Sequence, residues 1–404
     1  MAQHRIYLLP GFFGFTHMGE KPTDRIVYFG HVRDTLLEGF QQRGWDVEVE
    51  ALTSHPTANL QVRAQLLLRA IAETASRDEA ALHFIGHSTG GLDARGIVSN
   101  WMSREAPHLL PRVRSVVSVA TPHHGTPLAG FFHKDRQGEM LLRLLWIFTV
   151  FALRRGSRPM TFLAFRLFHT LGQAGHRLGF QDTAADKIAR VLAHLTPTEQ
   201  KTLEEFLAQI GKDQSLIEDL TPAKADIFNR QTPDQPHVRY GSVVTGAPTP
   251  SLRGMLQILS GKQNPGMGDL VSPRMFDPEP QVIYGAWSFL YKKSAPESPK
   301  LRTPELTPAQ AQVLRSAFGE EFHVRSDGIV PTRSQVWGEV ISAVVADHLD
   351  VMGHYDEPPN HVGWLKSGSC FRSPEFKDMW GRVLDFLVEA DLSTRAHDSG
   401  PPPH

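Results

Sequence analysis

A single cysteine, Cys370, stands in a chain of 404 residues. It can form no intramolecular disulfide, and no zinc-binding cysteine spacing exists. That scarcity points to a cytoplasmic setting. The N-terminus agrees, because the apolar run Arg5-Ile6-Tyr7-Leu8-Leu9 stops at Pro10-Gly11. It is too short for the core of a signal peptide and reads as a first strand. The expectation is therefore a cytoplasmic protein, or a secreted one whose leader has been removed. No apolar stretch reaches the roughly 20 residues that span a bilayer. No repeat period appears. Lys and Arg number 42 against 43 Asp and Glu, for a formal net charge of −1. Nothing in that balance attracts a nucleic acid. Hydrophobic residues make up 41% of the chain, enough for an ordinary globular core.

Strand-like and helix-like segments alternate through the first third. Residues 6–9, 47–52, 82–85 and 113–120 are candidate strands. Residues 32–42 and 61–74 carry apolar side chains at helical spacing. This alternation predicts a parallel sheet with helices on both faces. After residue 130 the pattern changes to two strongly apolar stretches, 140–153 and 160–171. A capping box with proline at the first helical position, Thr196-Pro197-Thr198-Glu199, opens a further helix. The organisation expected is a core half over 1–130, an inserted helical cap over 131–225, and a second core half over 226–395. That second half contains an excursion at about 247–322, and a loose tail follows at 396–404. Within it, strands are expected at 238–244, 323–325 and 341–346, with helices at 308–318 and 374–390.

Residues 82–85 run directly into Gly86-His87-Ser88-Thr89-Gly90-Gly91. A strand that turns sharply into a helix at G-x-S-x-G exposes the serine above the sheet, as in the α/β-hydrolase fold. Ser88 is the candidate nucleophile, and the Thr89 N–H at the helix start is a candidate oxyanion donor. Such a serine needs a base and an orienting acid, which follow it in the chain in the order acid, then histidine. Asp327, in Ser326-Asp327-Gly328, is placed to be the acid. Three histidines crowd the later loop: His348, His354 and His361. The glycine-rich exit of the first strand, Pro10-Gly11-Phe12, can present the Phe12 N–H as a second oxyanion donor.

Taken together, these motifs resemble the bacterial true lipases, the triacylglycerol lipases of pseudomonads and their relatives. The likeness runs through Tyr28-Phe29-Gly30, Gly44-Trp45-Asp46-Val47, Arg63-Ala64-Gln65-Leu66, Ile85 to Leu92, and Ala120-Thr121-Pro122-His123-His124-Gly125-Thr126. It returns more weakly at Leu220-Thr221-Pro222, Phe228-Asn229 and Val238-Arg239-Tyr240, and finally at His348-Leu349-Asp350. The resemblance implies His348 as the base and Asp327 as the acid. It also implies a lid after Thr126, in which Trp146 and Phe148 would meet substrate or a lipid surface, and a structural calcium at Asp350. His123 and His124 would shape a loop below the lid. The chain departs from the family in carrying Pro10-Gly11 where the family has His-Gly, in lacking its disulfide cysteines, and in residues 247–322.

The function expected is a serine carboxylester hydrolase acting on lipid esters, with no required cofactor. Alternatives on the same triad are a short-chain esterase, a polyester depolymerase and an acyltransferase. Outside catalysis, the alternative is a hydrolase-like scaffold that binds a lipid.

Overall fold

The computed structural model describes residues 3–12, 17–18, 26–134, 208, 212–260, 278–295, 301–357, 361, 363 and 365–398. The apolar stretches 140–153 and 160–171, the capping box at Thr196, and both Trp146 and Phe148 lie outside the described residues.

The strands are β1 (His4–Leu9), β2 (His17–Met18), β3 (Ile26–Val27), β4 (Val47–Ala51), β5 (Ala81–His87), β6 (Val113–Val119), β7 (Arg239–Thr245) and β8 (Glu339–Val344). Six of them form one sheet in the order β4-β1-β5-β6-β7-β8, and every pairing within it is parallel. The short β2 and β3 pair apart from it, antiparallel.

Parallel strands joined by helices bury both faces, so successive side chains of one strand must both be apolar. β1 shows this directly. Ile6 and Leu8 face the helices Gly30–Gln42 and Ser373–Asp398, through Val32, Leu36 and Phe40 on the first and Trp380, Val383 and Leu387 on the second. Tyr7 and Leu9 point the other way, toward Leu67, Leu68 and Ile71 of the helix Leu60–Ala75. All four β1 residues are fully buried. The long helix at the C-terminus starts one residue earlier and runs eight residues further than its apolar spacing predicts.

A six-stranded parallel sheet, helix-covered on both faces and turning into a helix through Ser88, is the α/β-hydrolase fold. One expected strand is absent. Residues 323–325 do not join the sheet; a single 3₁₀ turn, Gly319–His323, precedes an isolated bridge between Ser326 and Pro331. Phe322, just before this segment, is buried with Leu314, Phe318 and Val336 against Val244 of β7 and Val340 of β8, so the chain here covers the sheet and does not extend it. β7 itself provides the platform beneath Asp327.

At the C-terminal end of β1 the backbone comes very close to the helix Thr89–Gly96. A Cβ added at Gly90 would lie 2.2 Å from the Leu9 carbonyl oxygen, while one added at Gly130 meets nothing within 4 Å. Gly90→Ala is therefore expected to lower the unfolding free energy by about 1–3 kcal/mol or more. Gly130→Ala, inside a helix, is expected to leave it unchanged or raise it by up to about 1 kcal/mol. Denaturant melts of the two variants beside the wild type check this contrast.

Candidate active site

Ser88 sits between β5 and the helix Thr89–Gly96 with φ 54° and ψ −126°. A non-glycine residue in that region carries on the order of 1–3 kcal/mol of strain, and persists only where its surroundings fix it. Here they do. The Ser88 N–H donates to the Val119 carbonyl at 2.8 Å, and Gly11 packs so closely that an added Cβ would lie 2.9 Å from Ser88 Cβ. Ser88 is 6% exposed. Thr89, at the first position of the helix, has its N–H among those left without a helical acceptor.

Asp327 is wholly buried. Its Oδ1 accepts the N–H groups of Ile329 at 2.9 Å and Val330 at 2.8 Å. Its Oδ2 accepts from Thr245 Oγ1 at 2.8 Å, at the end of β7, and from Gln335 Nε2 at 3.2 Å. The fifth partner is His348, whose Nδ1 lies 2.8 Å from Oδ2. A carboxylate can only accept, so Nδ1 carries the proton and Nε2 is left as the basic nitrogen. The His348 N–H also donates to the Asp327 carbonyl at 3.1 Å, so backbone and side chain are held together. His348 follows β8, and its ring centroid lies 4.8 Å from that of His87, the residue before Ser88. Of the three residues expected from sequence, Ser88 follows β5 and His348 follows β8, while Asp327 lies in the loop before β8 and is tied to the end of β7 through Thr245.

The two other histidines of the loop do different work. His354 is buried, and burial pushes its pKa down to about 3. Its ring bonds to the backbone of Tyr28. His361 Nδ1 donates to the Gly353 carbonyl at 2.8 Å, and its ring stacks on Tyr355 at 4.1 Å. Of the three, His348 is the one with a carboxylate at hydrogen-bond distance among the described residues. His123 and His124 lie on neither side of this pair. Both are buried, and desolvation holds His123 well below its ordinary value and His124 at about 4. His123 bridges Ser118 Oγ at 2.8 Å and Arg95 at 3.2 Å, under the Trp337 ring.

The loop of residues 10–12 at the exit of β1 is braced by a residue that appeared in the sequence only as part of a resemblance. Arg63, fully buried, donates through Nη2 to the carbonyls of Pro10 at 3.0 Å and Gly11 at 3.2 Å. The same guanidinium pairs with Asp93 at 2.6 Å, one turn and a half beyond Ser88. Burial raises the Asp93 carboxyl and Arg63 pulls it back. This ion pair ties the nucleophile helix to the loop that carries Phe12. No local pattern marks it, since Arg63 and Asp93 lie on different helices.

Phe12, Ile329 and Leu349 adjoin the site and pack on one apolar cluster. That cluster holds Leu92 of the nucleophile helix, Leu128 and Phe132 of the helix Pro127–Lys134, Leu216 and Leu220, and Tyr284, Trp287 and Leu290 of the helix Pro278–Ser294. The excursion at 247–322 therefore supplies an aromatic wall beside Gly328 and Ile329, next to Asp327.

Asp350 lies below the base and is buried with Asp347. Asp350 Oδ2 accepts from the Asp347 N–H at 2.9 Å and Ser369 Oγ at 2.6 Å; Asp347 Oδ2 accepts from Ser367 Oγ at 2.7 Å. Burial, and next the charge of Asp347, push the Asp350 carboxyl well up. Asp347, whose carboxyl burial also raises, and Asp350 sit side by side at the edge of a cavity of about 110 Å³ that Asp356 also lines. Asp356 is already paired with Lys366 at 2.6 Å, and among the described residues no group of three or more acidic, histidine or cysteine side chains converges as a metal site.

No protein-family model matches the chain, and no curated protein matches it. Solved structures resemble it at low identity. A metagenomic carboxyl esterase aligns over 96% of this chain and 76% of its own, at 14% identity and a TM-score of 0.48. A Staphylococcus hyicus lipase aligns over 97% of both chains at 15% identity and a TM-score of 0.47. EstA from Clostridium botulinum aligns over 95% of this chain and 87% of its own, at 17% identity and a TM-score of 0.46.

Removing Arg63 leaves Asp93 as an unpaired buried charge. Arg63→Met is expected to cost about 3–5 kcal/mol, and Arg63→Met with Asp93→Leu is expected to recover part of that loss. A double-mutant cycle by urea unfolding measures it. Additive losses would mean that the pair is not coupled.

Proposed function

We propose that the chain is a serine carboxylester hydrolase of the lipase type. The observation that carries this reading is the buried Asp327–His348 pair, whose imidazole lies 4.8 Å from the ring of His87, the residue before Ser88 on its strained turn. In this reading His348 Nε2 takes the Ser88 Oγ proton as Oγ attacks an ester carbonyl. Asp327 keeps the imidazole in the right tautomer and stabilises its cation. The N–H groups of Thr89 and Phe12 receive the oxyanion, each worth on the order of 3 kcal/mol in the transition state. His348 then protonates the departing alcohol and activates the water that frees the acid.

The apolar cluster reached through Phe12, Ile329 and Leu349 favours a substrate with a hydrocarbon acyl chain. That favours a lipid ester over a short-chain ester; acyl transfer and polyester cleavage remain alternatives on the same three residues. A contact of Trp146 and Phe148 with a lipid surface rests on the sequence alone. No helix among the described residues is long and apolar enough to cross a membrane. A calcium ion at Asp350, with Asp347 beside it, is the remaining part of the proposal. Bound there it would neutralise two carboxylates under the base loop and supply no step of the chemistry.

Three outcomes are expected. Ser88→Ala abolishes hydrolysis of p-nitrophenyl esters without changing the melting temperature, and the wild type prefers longer acyl chains as the series lengthens. Activity retained in Ser88→Ala, or a strict preference for acetate, contradicts the reading. Of the loop histidines, His348→Ala is inactive while His361→Ala keeps activity; the reverse would reassign the base. Removal of calcium by EDTA lowers the melting temperature, because a metal bound only by the folded state stabilises it. An unchanged melt with no metal by elemental analysis removes calcium from the proposal.

A further inference from the structure

Tyr28 lies where three parts of the site meet, and nothing in the chemistry above uses it. It is 8% exposed. Its hydroxyl meets the Nδ1 of His87, the residue before the nucleophile. The other nitrogen of that imidazole, Nε2, lies 2.9 Å from the backbone carbonyl oxygen of His348. A carbonyl only accepts, so His87 Nε2 carries the proton and Nδ1 is the acceptor. The Tyr28 O–H is then the donor to Nδ1. Its oxygen accepts from the Gly11 N–H, and an added Cβ at Gly11 would lie 3.0 Å from it. Every donor points the same way: Gly11 N–H to Tyr28 Oη, Tyr28 O–H to His87 Nδ1, and His87 Nε2–H to the His348 carbonyl. The chain starts one residue before the Phe12 donor and ends on the base itself. The base loop also returns to Tyr28, through the bond of the His354 ring to the Tyr28 backbone.

Burial fixes the state of each link. Desolvation pushes the Tyr28 phenol well up, so it stays a donor, and holds His87 well below the ordinary histidine range, so it stays neutral with one proton.

From this geometry we propose that Tyr28 is a positioning residue for the ester-cleaving reaction, setting the distance between the oxyanion donors and His348 through His87. The proposal rests on the hydrolase reading of Ser88. Tyr28 touches no reacting atom. It acts by holding the loop of Phe12 and the carbonyl of His348 on one rigid chain of bonds, so that donor, nucleophile and base keep their mutual distances.

Tyr28→Phe keeps the ring and deletes only the hydroxyl. It is expected to lower kcat on a soluble p-nitrophenyl ester by about 10-fold to 100-fold, the scale of a sub-ångström to 1 Å misplacement. KM is expected to stay within about twofold, because the pocket wall is untouched. A purely structural tyrosine would instead lower the melting temperature and leave kcat of the folded fraction unchanged, and that result overturns the proposal. An active wild type with an equally active Tyr28→Phe overturns it too, while an inactive wild type overturns the hydrolase reading instead. A second measurement does not depend on the folding of Tyr28→Phe. In the wild type with ¹⁵N-labelled histidine, His87 is expected to show a protonated Nε2 and a bare Nδ1 from pH 5 to 8, its signals assigned by their loss in His87→Gln. A His87 that titrates in that window, or carries its proton on Nδ1, contradicts the relay even if Tyr28→Phe fails to fold.

Discussion

A carboxylate buried among neutral donors organises the functional end of this molecule. Asp327 has no surface of its own, and its two oxygens are met by two backbone N–H groups, a threonine hydroxyl, a glutamine amide and an imidazole. Removing a carboxylate from water is costly unless every lone pair is met. The segment after Asp327 must therefore fold back tightly enough to offer the N–H groups of Ile329 and Val330, β7 must end at Thr245, and the loop after β8 must bring His348 into reach. Three separate parts of the chain are fixed by one group's need for donors.

A second constraint acts on the other side of Ser88. The exit of β1 has to lie against the nucleophile turn, and it does so without side chains in the way: Gly11 faces Ser88 and Gly90 faces the Leu9 carbonyl. Backbone contact alone does not fix a loop. Arg63 adds the fixing: Nη1 donates to the His55 carbonyl, Nη2 is shared among the Pro10 and Gly11 carbonyls and Asp93, and Nε donates to Asp93. The exit loop of β1 is thus held by a charged brace from one side and by Tyr28 from the other.

Much of this arrangement was legible in the residues. The alternation of apolar segments located all six sheet strands to within two residues at each end, because a sheet covered on both faces needs continuous apolar runs. The turn at Ser88 was legible because its glycines answer a local demand. Asp327 meets His348, as the chain order leads one to expect, but the strand expected before it at 323–325 is absent and a 3₁₀ turn ends at His323 instead. Spacing alone could not separate His348 from His354 and His361. The difference lies in which one meets a carboxylate, and that partner is 21 residues away. Arg63 with Asp93, and Tyr28 with His87, are long-range pairs of ordinary residue types, and no local pattern announces them.

The account centres on Ser88 as a nucleophile activated by the pair behind it. The direct measurement is covalent: react the purified protein with a fluorophosphonate ester and map the adduct by peptide mass spectrometry. One adduct per chain, on the peptide that holds Ser88 and lost in His348→Ala, is the result expected. Ester hydrolysis that proceeds while Ser88 stays unlabelled, or a label carried by another serine, would contradict it.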